Sequence, residues 1–94
     1  MFMLVDTRIE DPEAYEEYKA LARPIVEKYG GIYRARGGEL KVLEDDLWTP
    51  SRLVVIEFPD MASMETFYNS DEYTPLRAIR RANAKCSIAV VEGL

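Results

Sequence analysis

The side chains able to carry out proton chemistry in this sequence are limited by the absence of histidine. The chain has 94 residues, no histidine and one cysteine. This composition excludes Ser-His-Asp and Cys-His catalytic arrangements, histidine-ligated zinc and haem held by a proximal histidine. Any acid–base step must therefore use carboxylates, tyrosine, lysine or the thiol. We expect no cofactor and no metal, because the acidic run at 44–46 lacks the spacing of a cation-binding loop.

Two carboxylates are the candidate catalytic groups. Glu57 ends the most apolar strand-like stretch, between Ile56 and Phe58. Burial in an apolar cavity raises the pKa of a carboxylate, which suits a general base. Asp6 lies near the end of the neighbouring strand-like stretch and is the second candidate. An equally weighted alternative is a structural ion pair between Glu57 and Arg36.

Two arginines and three aromatic residues are the candidate ligand-binding groups. Arg34 and Arg36 can offer a bidentate site for a carboxylate, unless one of them faces solvent at the sheet edge. Tyr68 and Tyr73 flank a break between two helical stretches, where a phenol can reach the mouth of a cavity. Trp48 lies in the longest loop as a lid, a plug exchanged between subunits, or a simple packing residue. For the tyrosines, packing in the core or at a subunit contact is the plainer interpretation.

The elements that must position these residues follow from hydrophobic periodicity. Alternation predicts strands, and apolar residues three and four apart predict helices. The predicted order is β-α-β-β-α-β, with a further helical stretch before the last strand; the segments are 3–9, 12–29, 32–36, 52–58, 61–68, 71–80 and 85–92. This order is typical of the ferredoxin-like α+β fold, a four-stranded antiparallel sheet with its helices on one face. We expect the first and third strands to be central and parallel to each other, and residues 39–44 to extend the second strand.

The sheet face away from the helices is too apolar to be freely solvated and too charged to be a dry core. Its seven apolar members are predicted to be Phe2, Leu4, Ile32, Leu53, Val55, Ala89 and Val91, and its charged members Asp6, Arg8, Arg34, Arg36 and Glu57. The helix-facing set is predicted to be Met3, Val5, Tyr33, Ala35, Val54, Ile56, Phe58, Ile88 and Val90. We therefore predict a homodimer formed sheet to sheet, with a cavity between the sheets.

Composition limits the cellular setting and the partners. The net charge of −5 argues against binding to nucleic acid, which needs a basic face. No apolar run approaches the roughly 18 residues of a membrane helix. The first residues lack the charged flank of a signal peptide. We expect one cytoplasmic domain spanning residues 1–94, with no membrane or nucleic-acid partner.

Several stretches together resemble the domain-of-unknown-function family DUF1330. They are YGGIYRARGG at 29–38, RLVVIEFP at 52–59, FYNSDEY at 67–73, VVEG at 90–93, DPEAY at 11–15 and WTP at 48–50. The resemblance implies the dimeric α/β-barrel superfamily, which agrees with the predicted topology. Relatives in that superfamily include cofactor-free monooxygenases, lactone isomerases, haem-degrading enzymes and effector-sensing domains. The haem-ligating relatives do not fit a chain without histidine.

Three functions remain open from the sequence. The first is a homodimer that binds a compact apolar or aromatic molecule, with an acid as an option. The second is a cofactor-independent isomerase or monooxygenase that uses Glu57 or Asp6 as its general base. The third is a structural dimer whose interface leaves no pocket.

Overall fold

The computed structural model describes residues 1–94 and contains four strands and three helices. The strands are β1 (Phe2–Ile9), β2 (Ile32–Arg36), β3 (Leu53–Glu57) and β4 (Ala84–Val91). The helices are α1 (Pro12–Lys28), α2 (Met61–Tyr68) and α3 (Thr74–Asn83). The predicted α+β order is confirmed, and the predicted further helical stretch before the last strand is α3, which a short turn separates from α2. None of the helices is long and apolar enough to cross a membrane.

The strands form one antiparallel sheet in the order β2-β3-β1-β4. The first and third strands are central, but the expectation that they are parallel is wrong. The crossover through α1 places β2 at the sheet edge, parallel to β1. The chain then reverses direction, and β3 inserts between β2 and β1, antiparallel to both. Asp6 therefore lies opposite Leu53, whereas Phe2 lies opposite Glu57. The two candidate carboxylates are four residues apart along the sheet, about 13 Å.

A bulge in β2 changes which face its last residues occupy. Tyr33 lies opposite Ile56, but Ala35 lies opposite Val55, so Arg34 is the extra residue. A bulge moves every later side chain to the other face. The predicted faces of Ala35 and Arg36 are therefore wrong: Ala35 is on the open face, and Arg36 faces the helices. The strand also ends at Arg36 and does not continue over 39–44.

Side-chain caps begin two of the helices. The Asp11 carboxylate accepts from the backbone N–H of Ala14 (3.2 Å) before α1. The Asp60 carboxylate accepts from the N–H of Ser63 (2.7 Å) before α2. Such caps satisfy N–H groups that lack a partner in the first turn.

The core lies between the helices and one sheet face. Buried and exposed residues alternate along β1, and the buried set packs against residues of all three helices. The core cluster is Met3, Val5, Ala22, Val26, Val54, Ile56, Phe58, Met64, Phe67, Tyr73 and Leu76. The opposite face has no element of the chain packed over most of it, so it is called the open face below.

Candidate functional site

A cavity of about 50 Å³ lies inside this core, between the sheet and the helices. Thirteen of its 17 lining residues are hydrophobic, and five of these are the tyrosines Tyr15, Tyr18, Tyr33, Tyr68 and Tyr73. The other four are all cationic: Lys19, Arg36, Arg52 and Arg80. No carboxylate lines the cavity, although the chain as a whole carries a net charge of −5.

Two phenols from different elements meet at the cavity wall. Tyr18 projects from α1, and Tyr73 lies in the turn between α2 and α3. The turn is held by Ser70, whose hydroxyl oxygen accepts from the N–H of Tyr73 (3.1 Å). This places the Tyr73 hydroxyl 2.8 Å from that of Tyr18. The helix break that predicted a role for Tyr73 therefore fixes where its phenol points.

Arg80 is the most unusual residue of the wall. It is only 5% exposed, and its Nη1 donates to the Tyr73 hydroxyl (3.0 Å). Its Nε is buried without any hydrogen-bond partner. None of the ion pairs in the structure includes Arg80; the pairs are Lys19–Glu16, Arg23–Glu27, Lys28–Glu72 and Arg34–Glu57. A buried cation without a counter-charge costs free energy, so such a group is rare in a purely structural core.

The phenols near Arg80 differ in their acidity. Burial raises the pKa of Tyr73 and of Tyr18 above the ordinary value for tyrosine, so both are neutral hydroxyls at neutral pH. Burial also acts to raise the pKa of Tyr68, but hydrogen bonds with Arg80 and Arg77 outweigh it and lower that pKa. Burial alone would lower the pKa of Arg80, but Tyr73 and Tyr18 outweigh this and hold it above the ordinary value. The wall therefore presents a permanent cation beside neutral hydroxyl groups.

Two half-buried arginines lie between the cavity and solvent. The Arg36 guanidinium lies over the Tyr33 ring (4.6 Å to the centroid), and its Nη2 donates to the carbonyl of Lys19 (3.0 Å). The Arg52 guanidinium lies over the Tyr15 ring at 5.5 Å. Long side chains resting on aromatic rings can swing outward without moving the backbone. Arg36 and Arg52 are therefore the most adaptable part of the cavity wall, and they are called the mouth of the cavity below.

The predicted catalytic carboxylates lie elsewhere, on the open face. The carboxylate of Glu57 pairs with Nε of Arg34 at 2.9 Å. The predicted ion-pair partner was Arg36, so the pair forms with a different arginine of the same strand. At the other end of the sheet, Asp6 accepts from Nε1 of Trp48 (3.1 Å) and from the N–H groups of Ser51 (2.8 Å) and Arg52 (3.1 Å). Partial burial would raise the pKa of Asp6, but these donors outweigh it and lower that pKa.

The predicted site residues thus divide between two faces. Arg36, Tyr68 and Tyr73 meet in the cavity, whereas Arg34, Trp48, Glu57 and Asp6 lie on the open face. Trp48 covers a shallow hollow of about 290 Å³ on that face, floored by Leu4, Leu53, Val55 and Ala89. The predicted cavity between two sheets concerns the assembled dimer, whereas the cavity described above lies within one chain.

Sequence reasoning missed Arg80, Arg52 and Lys19 as cavity residues and did not name Tyr15 and Tyr18 as candidate site residues. A signal for Arg80 was present: it follows Tyr73 and Leu76 on the apolar stripe of its helix, at seven and four residues. A cation in the middle of an apolar stripe is exceptional, because such positions face the core.

Comparisons with known proteins agree on family and fold. The family model of DUF1330, a domain of unknown function, matches residues 1–94. No curated protein matches the chain. A crystal structure of a protein of unknown function from Rhodopseudomonas palustris is 20% identical, with a TM-score of 0.80 over 99% of this chain and 81% of that one.

Two further solved structures have lower TM-scores. An antibiotic biosynthesis monooxygenase is 23% identical, with a TM-score of 0.55 over 100% of this chain and 99% of that one. A conserved protein from Methanosarcina mazei Go1 is 18% identical, with a TM-score of 0.50 over 94% and 89% of the two chains. At these identities the likeness concerns the fold, and function must be argued from the site.

Proposed function

We propose that this chain, which belongs to the DUF1330 family, binds a compact apolar or aromatic organic molecule in the cavity between its sheet and its helices. One observation carries the proposal: the cavity wall is largely apolar and aromatic, with only four charged side chains among its 17 lining residues. This combination is typical of small-molecule sites, in which apolar walls supply affinity and a few polar groups fix orientation.

The size of the resting cavity limits the ligand. About 50 Å³ holds a few water molecules, whereas an apolar cavity of about 150 Å³ is known to bind benzene. Entry of an aromatic ring therefore requires Arg36 and Arg52 to move away from the rings on which they rest. A ligand of a single ring is the largest that such a local movement accommodates.

The alternative of an enzyme with a carboxylate base receives no support from the cavity, because no carboxylate lines it. Glu57 or Asp6 would each have to act alone from the open face, because they are four residues apart along the sheet. The likeness to an antibiotic biosynthesis monooxygenase extends to fold alone. Binding is therefore the function that the geometry supports best.

We also propose that two copies pair through their open faces. The face exposes Leu4, Ile32 and Val91, and the loop between β2 and β3 adds Leu43 (81% exposed) and Leu47 (88% exposed). Contiguous apolar surface of this kind is typical of a protein–protein interface. A sheet-to-sheet homodimer would cover it and leave the helix-side cavity of each subunit accessible from the other side.

Ligand binding is tested by filling the cavity. Ala22 lines it and is buried on α1, whereas Ala20 of the same helix is exposed. We expect benzamide and benzoate to perturb amide NMR signals of Tyr73 and Ala22 in the native protein. Ala22→Leu should weaken binding of both probes about tenfold or more, because the added methyl groups occupy the cavity.

Ala20→Leu is the matched control and should bind both probes as the native protein does. Overpacking of about 1–3 kcal/mol accompanies Ala22→Leu, so its fold is checked by circular dichroism, with Ala22→Val as a milder variant. Native mass spectrometry of freshly purified protein adds an independent reading, since a reproducible extra mass would reveal a retained ligand. Absence of binding by either probe, with no retained mass, would contradict the proposal.

A further inference from the structure

We propose that the ligand of this cavity carries a carboxylate, and that Arg80 is the group that binds it, with the hydroxyls of Tyr18 and Tyr73 alongside. This inference rests on the proposed binding function and specifies the chemical class of the ligand. It also assigns the role of the binding cation to a residue of α3 rather than to the strand arginines.

The hydrogen-bonding capacity of Arg80 is not fully used within the chain. Arginine has five N–H donors in a planar fork and no acceptor. Here Nη1 donates to Tyr73 and the guanidinium also hydrogen-bonds with Tyr68, while Nε is buried without a partner. Buried polar groups nearly always find a partner, so an unpartnered donor at a cavity indicates that something else completes it.

The charged side chains of the cavity wall are all positive. Arg80 has no carboxylate partner, and the cavity is lined by four cations and no acid. An acidic chain has thus gathered an excess of positive charge around one small space. Low-dielectric walls of one sign concentrate the field and attract an ion of opposite charge.

The shape of the Arg80 side chain and of the cavity wall fits a small aromatic carboxylate. The guanidinium fork matches the two oxygens of a carboxylate, and each bond is charge-assisted. Neutral Tyr18 and Tyr73 hydroxyls lie 2.8 Å apart beside it and can rotate to donate. The rest of the wall is largely apolar and includes the aromatic rings of Tyr15, Phe67 and Tyr68. A single-ring carboxylic acid satisfies both halves of the site.

The test compares two probes of the same shape that differ in charge. We expect benzoate to bind the native protein about tenfold or more tightly than benzamide, as a charged partner of a buried guanidinium should. In Arg80→Met this preference should fall to about one, because benzoate loses a charged partner whereas benzamide loses only a neutral acceptor's hydrogen bond. Arg80→Lys should restore part of the preference, because it keeps the charge and loses the fork.

Arg81→Met is the matched control, because Arg81 follows Arg80 on α3 but is exposed and does not line the cavity. It should keep the full preference for benzoate. If Arg80→Met does not fold, Tyr73→Phe serves instead. It removes the hydroxyl that holds Nη1 and should reduce the affinity for benzoate several-fold more than the affinity for benzamide.

Equal binding of benzoate and benzamide to the native protein would overturn the carboxylate assignment and leave the binding function standing. An unchanged preference in Arg80→Met would transfer the role to another cation and overturn the assignment to Arg80. Competition by inorganic phosphate at the same concentration as benzoate would show that the site binds anions in general, and it would overturn the carboxylate assignment. Failure of both probes would contradict the binding function and the inference together.

Discussion

At the scale of single residues, the structure separates charged groups that satisfy each other from one that does not. Glu57 and Arg34 form a half-exposed pair, and Asp6 has three donors. Arg80 is enclosed by phenols without an acidic partner. A free energy cost is concentrated at that residue, and a ligand that supplies the missing charge would recover it.

Glu57→Gln tests whether this carboxylate belongs to the site. Glu57 lies on the open face, so we expect binding of benzoate and benzamide to be unchanged. Exposed ion pairs contribute little, and the free energy of unfolding should fall by less than about 1 kcal/mol. The measurements are probe titration and urea unfolding, with Arg34→Gln as the companion variant. Loss of probe binding would restore Glu57 as a site residue, and a much larger loss of stability would indicate a desolvated pair.

At the scale of elements, one extra residue in β2 decides which arginine can reach the cavity. Strand positions were predicted well, because alternating apolar residues specify a pleated, half-buried strand. The bulge at Arg34 was missed, because it arises from pairing with β3 and leaves no mark in composition. Arg36 therefore moved to the helix side, and the predicted neighbour of Glu57 became Arg34.

The long loop between β2 and β3 is joined to the sheet chiefly through Asp6. Its donors lower its pKa in the folded chain below the ordinary value of 3.8. The stabilisation from these bonds is therefore present above that value and is lost as the pH falls through the lower folded pKa. At pH 7 we expect Asp6→Asn to reduce the free energy of unfolding by about 1–2 kcal/mol, since an amide accepts less strongly than a carboxylate.

The difference between native protein and Asp6→Asn should shrink as the pH falls below about 4, because Asp6 of the unfolded chain then takes up a proton before the folded carboxylate, with its lowered pKa, does. Urea unfolding at intervals between pH 3 and 7 measures this. The control is Asp46→Asn, which changes an exposed carboxylate of the same loop. A deficit that persists undiminished at pH 3 would contradict an electrostatic origin.

At the scale of the whole molecule, the sequence predicted the architecture better than the position of the cavity within the core. The ferredoxin-like order followed from local periodicity and from turn residues such as Pro12 and Pro59. The direction of β3 relative to β1 depends on how the crossover inserts one strand between two others, which local patterns do not encode. The cavity escaped prediction for a similar reason: Tyr15, Tyr18 and Tyr73 occupy positions typical of core residues, and only their packing leaves space between them.

The open face supplies the prediction that belongs to the assembly. Stable interfaces bury about 1,200–2,000 Å² in total, and the open face with its apolar loop offers surface of the required character. We expect a dimer at micromolar concentration in sedimentation equilibrium.

Leu4 is 41% exposed at the centre of the open face, and Leu21 is 45% exposed on α1. Leu4→Glu should shift the protein to monomer, because two facing carboxylates would be desolvated and repel each other. Leu21→Glu introduces the same charge on the helix side and should remain dimeric. A native protein that sediments as a monomer would contradict the pairing, whereas dissociation by Leu21→Glu alone would place the interface on the helices and cover the mouth of the cavity.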